Sequence, residues 1–155
     1  MVYTSLALVL SHPVTAQVNV DVDQDTNKAT TFLTDCAATY QYLTDLATGA
    51  GSAQESAQFA QMVGPYRYLA TIYAAILFPE ESAEYADSIA GARINGRLAE
   101  WASTLGQGGE AEVTSTVRTN MTNCAELNDP NVVKIQSSSV FPRGKAKIDA
   151  SEYAL

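Results

Sequence analysis

This chain has few of the histidine and cysteine side chains that often act as catalytic bases, nucleophiles or metal ligands. The 155-residue sequence has one histidine, His12, and two cysteines, Cys36 and Cys124. Imidazole is the usual base for serine and cysteine nucleophiles and the commonest metal ligand. A hydrolase that uses Glu or Asp alone is the remaining enzymatic alternative, but no paired-carboxylate motif stands out. We therefore expect a non-enzymatic protein without catalytic residues, metal or cofactor.

Two acidic clusters offer oxygen ligands, but neither has the pattern of a metal site. Asp21, Asp23 and Asp25 alternate like the start of a calcium loop, which needs glycine at its sixth position and glutamate at its twelfth. Thr26 and Phe32 stand at those positions. The other cluster is explained by the positive end of a helix dipole; it comprises Glu80, Glu81, Glu84 and Asp87.

The first sixteen residues have the features of an export signal. An apolar run over residues 2–10 is followed by small residues at 14–16, the pattern of a cleavage site. Cleavage before Gln17 removes His12 and leaves a periplasmic or secreted protein. Residues 1–11 contain no Lys or Arg, which a signal normally has, so an ordinary N-terminal strand is the alternative.

The charge distribution argues against nucleic acid as a partner. The chain has 17 acidic and 9 basic side chains, for a formal net charge of -8. Such a surface repels phosphate backbones and anionic lipid. The longest remaining apolar run, residues 69–78, is too short to span a bilayer. We expect no membrane insertion once the signal is removed.

Apolar residues recur at steps of three and four through most of the chain, which predicts an all-α fold. Four segments joined by short turns favour an antiparallel four-helix bundle. Around this bundle, residues 17–25 form a short acidic extended arm and residues 129–155 a basic irregular tail. The helical domain itself covers residues 26–128.

Local signals place the starts and breaks of these helices. Ser52 and Glu55 have the spacing of a capping box at the start of the second helix. Gly64-Pro65 predicts a kink in this helix or two abutting helices, because proline removes a backbone hydrogen bond. Pro79 suits the first turn of the third helix, where its missing N–H is not needed.

The two cysteines fall on the apolar stripes of the first and fourth helices. In an antiparallel bundle these helices are neighbours, which brings Cys36 and Cys124 to similar heights. One disulfide fits the count of two and an oxidising compartment. Two buried free thiols are the alternative.

The second helix has more apolar surface than one bundle face requires. Residues 69–78 are apolar on nearly every side, so a second partner must cover them. We select Tyr66, Tyr68, Ile72 and Ala75 as a candidate interaction surface for another protein or a second copy. The alternative cover is the tail, whose sizeable apolar residues are Val132, Val133, Ile135, Val140 and Phe141.

These observations favour an exported helical module that binds another protein, as an accessory, inhibitor or immunity-type envelope protein does. The second hypothesis is a carrier of a small apolar ligand in a groove beside residues 69–78, because bundle interiors commonly hold such sites.

Overall fold

The computed structural model describes residues 26–124 and 140–150, and every regular element in these ranges is a helix. The prediction of an all-α fold is confirmed. The predicted export signal at 1–16 and the predicted arm at 17–25 lie outside the described residues. The described residues form five helices: α1 (Thr26–Gly49), α2 (Ala53–Leu77), α3 (Ala83–Gly106), α4 (Glu110–Asn123) and α5 (Phe141–Asp149).

The turn between α1 and α2 depends on one glycine. Gly51 has φ +76°, a backbone conformation that residues with a Cβ atom rarely adopt. The amide of Ser52 then donates to the carbonyl of Ala47 at 2.9 Å, which closes the end of α1. The predicted capping box is absent, because Ser52 makes no side-chain cap hydrogen bond in its conformation (φ -89°, ψ 79°).

Pro79 ends α2 instead of beginning α3, so that prediction was wrong. A residue before proline is displaced from the α region, and Phe78 has φ -123° and ψ 70°. Helix α3 begins at Ala83 instead. Ser82 has extended angles, and its hydroxyl accepts the amide of Tyr85 at 3.2 Å. This is a regular N-cap.

Helix α2 continues through Gly64 and Pro65 without a break. One helix therefore stands where the sequence allowed two abutting ones. The kink and the antiparallel order of a four-helix bundle stay predictions. No helix within the described ranges is long and apolar enough to cross a membrane.

Helix α1 is the centre of the packing, because α2, α3 and α4 all contact it. Its buried face, which includes Leu33, Cys36 and Tyr40, meets Tyr66 and Tyr73 of α2 in the main core. Helix α4 packs against α1 and α3 and makes only sparse contact with α2. A gap therefore opens between α2 and α4 on one side of α1.

The predicted irregular tail contains a helix, α5, which is a correction to the sequence analysis. Pro142 lies in its first turn, where proline is tolerated, while Gly144 and Ile148 recur at helical spacing and are buried. A helix of 9 residues is marginal in isolation. Packing against α2 is what stabilises it.

Candidate functional site

A disulfide joins α1 to the end of α4. Cys36 and Cys124 are bonded with a Cα–Cα distance of 5.6 Å, which confirms the predicted pairing. The hydroxyls of Tyr40 and Tyr66 both donate to the carbonyl oxygen of Cys124, at 2.5 and 2.9 Å. This carbonyl lies at the buried C-terminal end of α4, and the two tyrosines provide the hydrogen-bond donors that it lacks within the helix. Helices α1, α2 and α4 therefore meet at one buried cluster.

The four residues of the predicted interaction surface do not form an exposed patch. Tyr66 is fully buried in the main core, and Ile72 and Ala75 are also buried. Tyr68 alone is partly exposed, and its hydroxyl donates to Asp149 of α5 at 2.9 Å. Of the apolar tail residues, Val140 and Phe141 pack against the core. Val132, Val133 and Ile135 lie outside the described residues.

Helix α5 approaches the backbone of α2 at Gly144. A Cβ atom at this position would collide with the carbonyl oxygen of Ile72 and lie 2.8 Å from Cγ1 of Ile76. Lys147 donates from Nζ to the carbonyl oxygens of Phe78 and Pro79, each at 2.9 Å. Lys147 of α5 thus supplies hydrogen bonds at the C-terminal end of α2 to carbonyls that have no partner within that helix. The α2–α5 contact therefore depends on a small residue and on a cation.

An exposed polar cluster completes this contact. Asp149 forms an ion pair with Lys145, and this hydrogen bond, followed by the one from Tyr68, lowers the pKa of the Asp149 carboxyl. Desolvation first, and then Asp149, raises the pKa of the Tyr68 hydroxyl. A carboxyl with a depressed pKa contributes stability above its unfolded pKa and loses this contribution as pH falls through the folded value. Acid therefore weakens this edge of the contact.

Gly144→Ala is expected to loosen α5 and to lower the melting temperature. The new methyl group meets backbone at Ile72, which cannot rotate away as a side chain would. Hydrogen exchange of the amides at 141–149 should accelerate, while the amides of α1 keep their protection.

Gly96→Ala is the matched control for this substitution. Gly96 lies inside α3 with nothing within 4 Å of an added Cβ. Alanine there should stabilise the protein by about 0.5–1 kcal/mol, because glycine costs more backbone entropy. Equal stabilisation by both variants would refute the close contact at Gly144.

The acidic cluster of the third helix is divided between solvent and core. Glu80, Glu81 and Glu84 are exposed, but Asp87 is only 3% exposed. Arg67 donates from Nε to one oxygen of Asp87 at 2.8 Å and from Nη2 to the other at 2.5 Å, and Thr71 donates at 3.2 Å. Asp87 therefore belongs to a partly buried ion pair between α2 and α3, which the interpretation by the helix dipole did not foresee.

A depression with a mainly apolar lining lies in the gap between α2 and α4. We call it the apolar groove. Its volume is about 260 Å³. Its lining residues come from α1, α2 and α4 and are Tyr42, Leu43, Leu46, Glu55, Gln58, Phe59, Thr114, Val117, Arg118 and Met121. Beside residues 69–78, where the sequence predicts a groove, a depression of about 180 Å³ lies between α2 and α5.

Leu46 is the clearest sign that the apolar groove is not simply unfilled core. This side chain is 44% exposed, whereas the neighbouring Leu43 is buried. Phe59 and Met121 are only partly buried against the core. Large apolar side chains that gather around a depression mark a binding site more often than a lone exposed leucine does.

Charged and polar side chains complete the lining. Glu55 lies in the first turn of α2, and Arg118 lies within α4. The guanidinium of Arg118 makes no ion pair with another residue of the described ranges. Sequence reasoning missed this site. The stripe of Val113, Val117 and Met121 in α4 indicated a buried face, but not that α2 leaves part of it open.

Chemically, the apolar groove can hold an apolar group and offers one cation to it. Within residues 26–124 and 140–150, no group of three or more His, Cys, Asp or Glu side chains is placed to hold a metal ion. Comparisons with protein-family models, with curated proteins and with solved structures found no match to this chain.

Proposed function

We propose that this protein is an exported, non-enzymatic binding protein that holds a small apolar ligand in the apolar groove. The observation that carries this proposal is the cluster of incompletely buried apolar side chains around the groove, with Leu46 at 44% exposure. Covering Leu46 alone is worth up to about 1.5–3 kcal/mol for a side chain that becomes fully buried.

The size of the apolar groove favours a small ligand. A volume of about 260 Å³ lies just below the range of roughly 300–1,000 Å³ that is typical of ligand sites. Three helices line it, two of which, α1 and α4, are joined by the disulfide. Such a site is largely formed before the ligand arrives, which reduces the entropic cost of binding.

The disulfide supports the part of the proposal that concerns export. Disulfides persist in oxidising compartments such as the periplasm and the extracellular space and are rare in the cytosol. We propose that residues 1–16 act as a removable signal. The remaining chain is proposed to be an antiparallel four-helix bundle, kinked at Gly64-Pro65, with α5 added on α2.

Leu46→Ser is expected to weaken the binding of 1-decanol about five-fold. This factor corresponds to about 1 kcal/mol, a fraction of the value of a buried leucine. Isothermal titration calorimetry on the full chain measures the affinity. The variant should unfold at nearly the same temperature, because Leu46 is already substantially exposed.

Tyr85→Ser is the matched control for Leu46→Ser. Tyr85 is the other exposed large apolar residue among those described, and it lies outside the apolar groove. Its loss should leave decanol binding unchanged. The apolar groove is not the ligand site if both variants bind decanol as tightly as the unchanged protein does. The same conclusion follows if the unchanged protein does not bind decanol.

A second candidate function is the protein interaction expected from the sequence. The supporting observation is that α5 is short and packs mainly against α2. Release of α5 uncovers Ile72 and Ala75, which offers an apolar surface to a partner or a second copy. Sedimentation velocity of Gly144→Ala tests this function: dimerisation supports an interface, whereas a less stable monomer shows ordinary core.

A further inference from the structure

We infer that the apolar groove selects amphipathic anions, with an apolar chain in the groove and a single carboxylate at Arg118. This inference rests on the proposed function and adds the chemical class of the ligand. It depends on the charges that line the groove and on how each of them is already compensated.

Arg118 is a cation without compensation from the described residues. It lines the apolar groove from α4, and Thr114 lines it one helical turn earlier on the same face. The guanidinium has five donors in a planar fork that matches a carboxylate, and the threonine hydroxyl adds another donor. The α4 wall therefore presents hydrogen-bond donors to an occupant.

Two other arginines of the helical core, Arg67 and Arg97, already have carboxylate partners. Arg97 bonds to Asp35 and Glu100, and Arg67 bonds to Asp87. Their charges are neutralised by carboxylates of the chain itself. An added anion gains little from these sites, whereas at Arg118 it supplies the missing charge.

Among the described residues, Glu55 is the only acidic one in the lining of the apolar groove, and its environment weakens its effect on an anion. It is the third residue of α2, whose N-terminal amides carry a partial positive charge. The helix end therefore compensates Glu55 in part. Arg118 lies in the interior of α4, where no helix end offsets its charge.

Three ligands that share a ten-carbon chain and differ in their head groups test this inference. Decanoate, 1-decanol and decyltrimethylammonium are titrated into the full chain by calorimetry at neutral pH, below the micellar concentrations of the two ions and the solubility limit of decanol. Decanoate should bind about three-fold more tightly than decanol, as fits a partly exposed ion pair. Decyltrimethylammonium should bind most weakly.

Arg118→Gln should remove the preference for decanoate over decanol while retaining the affinity for decanol. Arg143→Gln is the control, because it removes the same charge from an exposed position on α5, outside the apolar groove. This control should keep the full preference. Circular dichroism checks that both variants are folded.

The possible results separate the inference from the proposed function. If decyltrimethylammonium binds as tightly as decanoate, or if Arg118→Gln leaves the decanoate preference intact, selection by Arg118 is wrong. Decanol binding that depends on Leu46 still supports the proposed function in that case. If none of the three ligands binds, both the function and its refinement are overturned.

Discussion

Replacing both Cys36 and Cys124 with alanine is expected to lower the free energy of unfolding by about 4 to 5 kcal/mol. The bond joins residues 88 positions apart, so its loss releases a long loop in the unfolded chain. The bond also ties the end of α4 to α1, where Asn120 of α4 donates to the hydroxyl of Thr39 at 3.0 Å. Denaturant unfolding of the variant and the unchanged protein measures the difference.

The reduced form of the unchanged protein is the control for the double alanine variant. It loses the same covalent constraint while keeping both sulfur atoms in the core. Its stability should therefore fall by a similar amount. A loss below about 1 kcal/mol in both cases would show that the disulfide hardly constrains the unfolded state, against the chain-entropy expectation.

Trp101→Ala is expected to cost about 3 to 5 kcal/mol, the range for removing a large aromatic side chain from a core. Trp101 is 4% exposed, and its ring meets the ring of Tyr42 edge to face with centroids 5.7 Å apart. Alanine leaves a cavity between α3 and α1 that these rigid helices cannot close. Thermal or denaturant unfolding gives the magnitude.

Glu81→Ala provides the comparison for Trp101→Ala. Glu81 is exposed in the turn before α3, and its removal should change stability little. Tyr42 also lines the apolar groove, so Trp101→Ala should weaken decanol binding as well. If Trp101→Ala lowers the free energy of unfolding by less than about 1 kcal/mol, the side chain of Trp101 contributes little to the stability of the core.

Local sequence patterns predicted the first four helices, because the apolar periodicity of each helix depends on neighbours along the chain. The stripe through Leu33, Cys36 and Tyr40 has helical spacing and is buried in α1. The pairing of Cys36 with Cys124 followed from the count of cysteines and from the placement of the two helices. These inferences needed only periodicity and the limited length of the turns.

Finer local predictions were wrong where two signals competed at one position. Pro79 can begin a helix or end the preceding one, and the constraint on Phe78 decided for the end. Ser52 has the residue type of a capping residue, but its backbone angles leave the hydroxyl without an amide to bind. Propensity alone does not choose between such outcomes.

By itself, the sequence determined an all-α chain with one disulfide, an acidic net charge and an excess of apolar surface on the second helix. Tertiary structure alone decided how this surface is covered, because α5 is too short to be stable before it packs against α2. It also decided where an apolar groove remains open. The angle between α2 and α4 depends on the packing of both helices on α1, and no pattern within either helix encodes it.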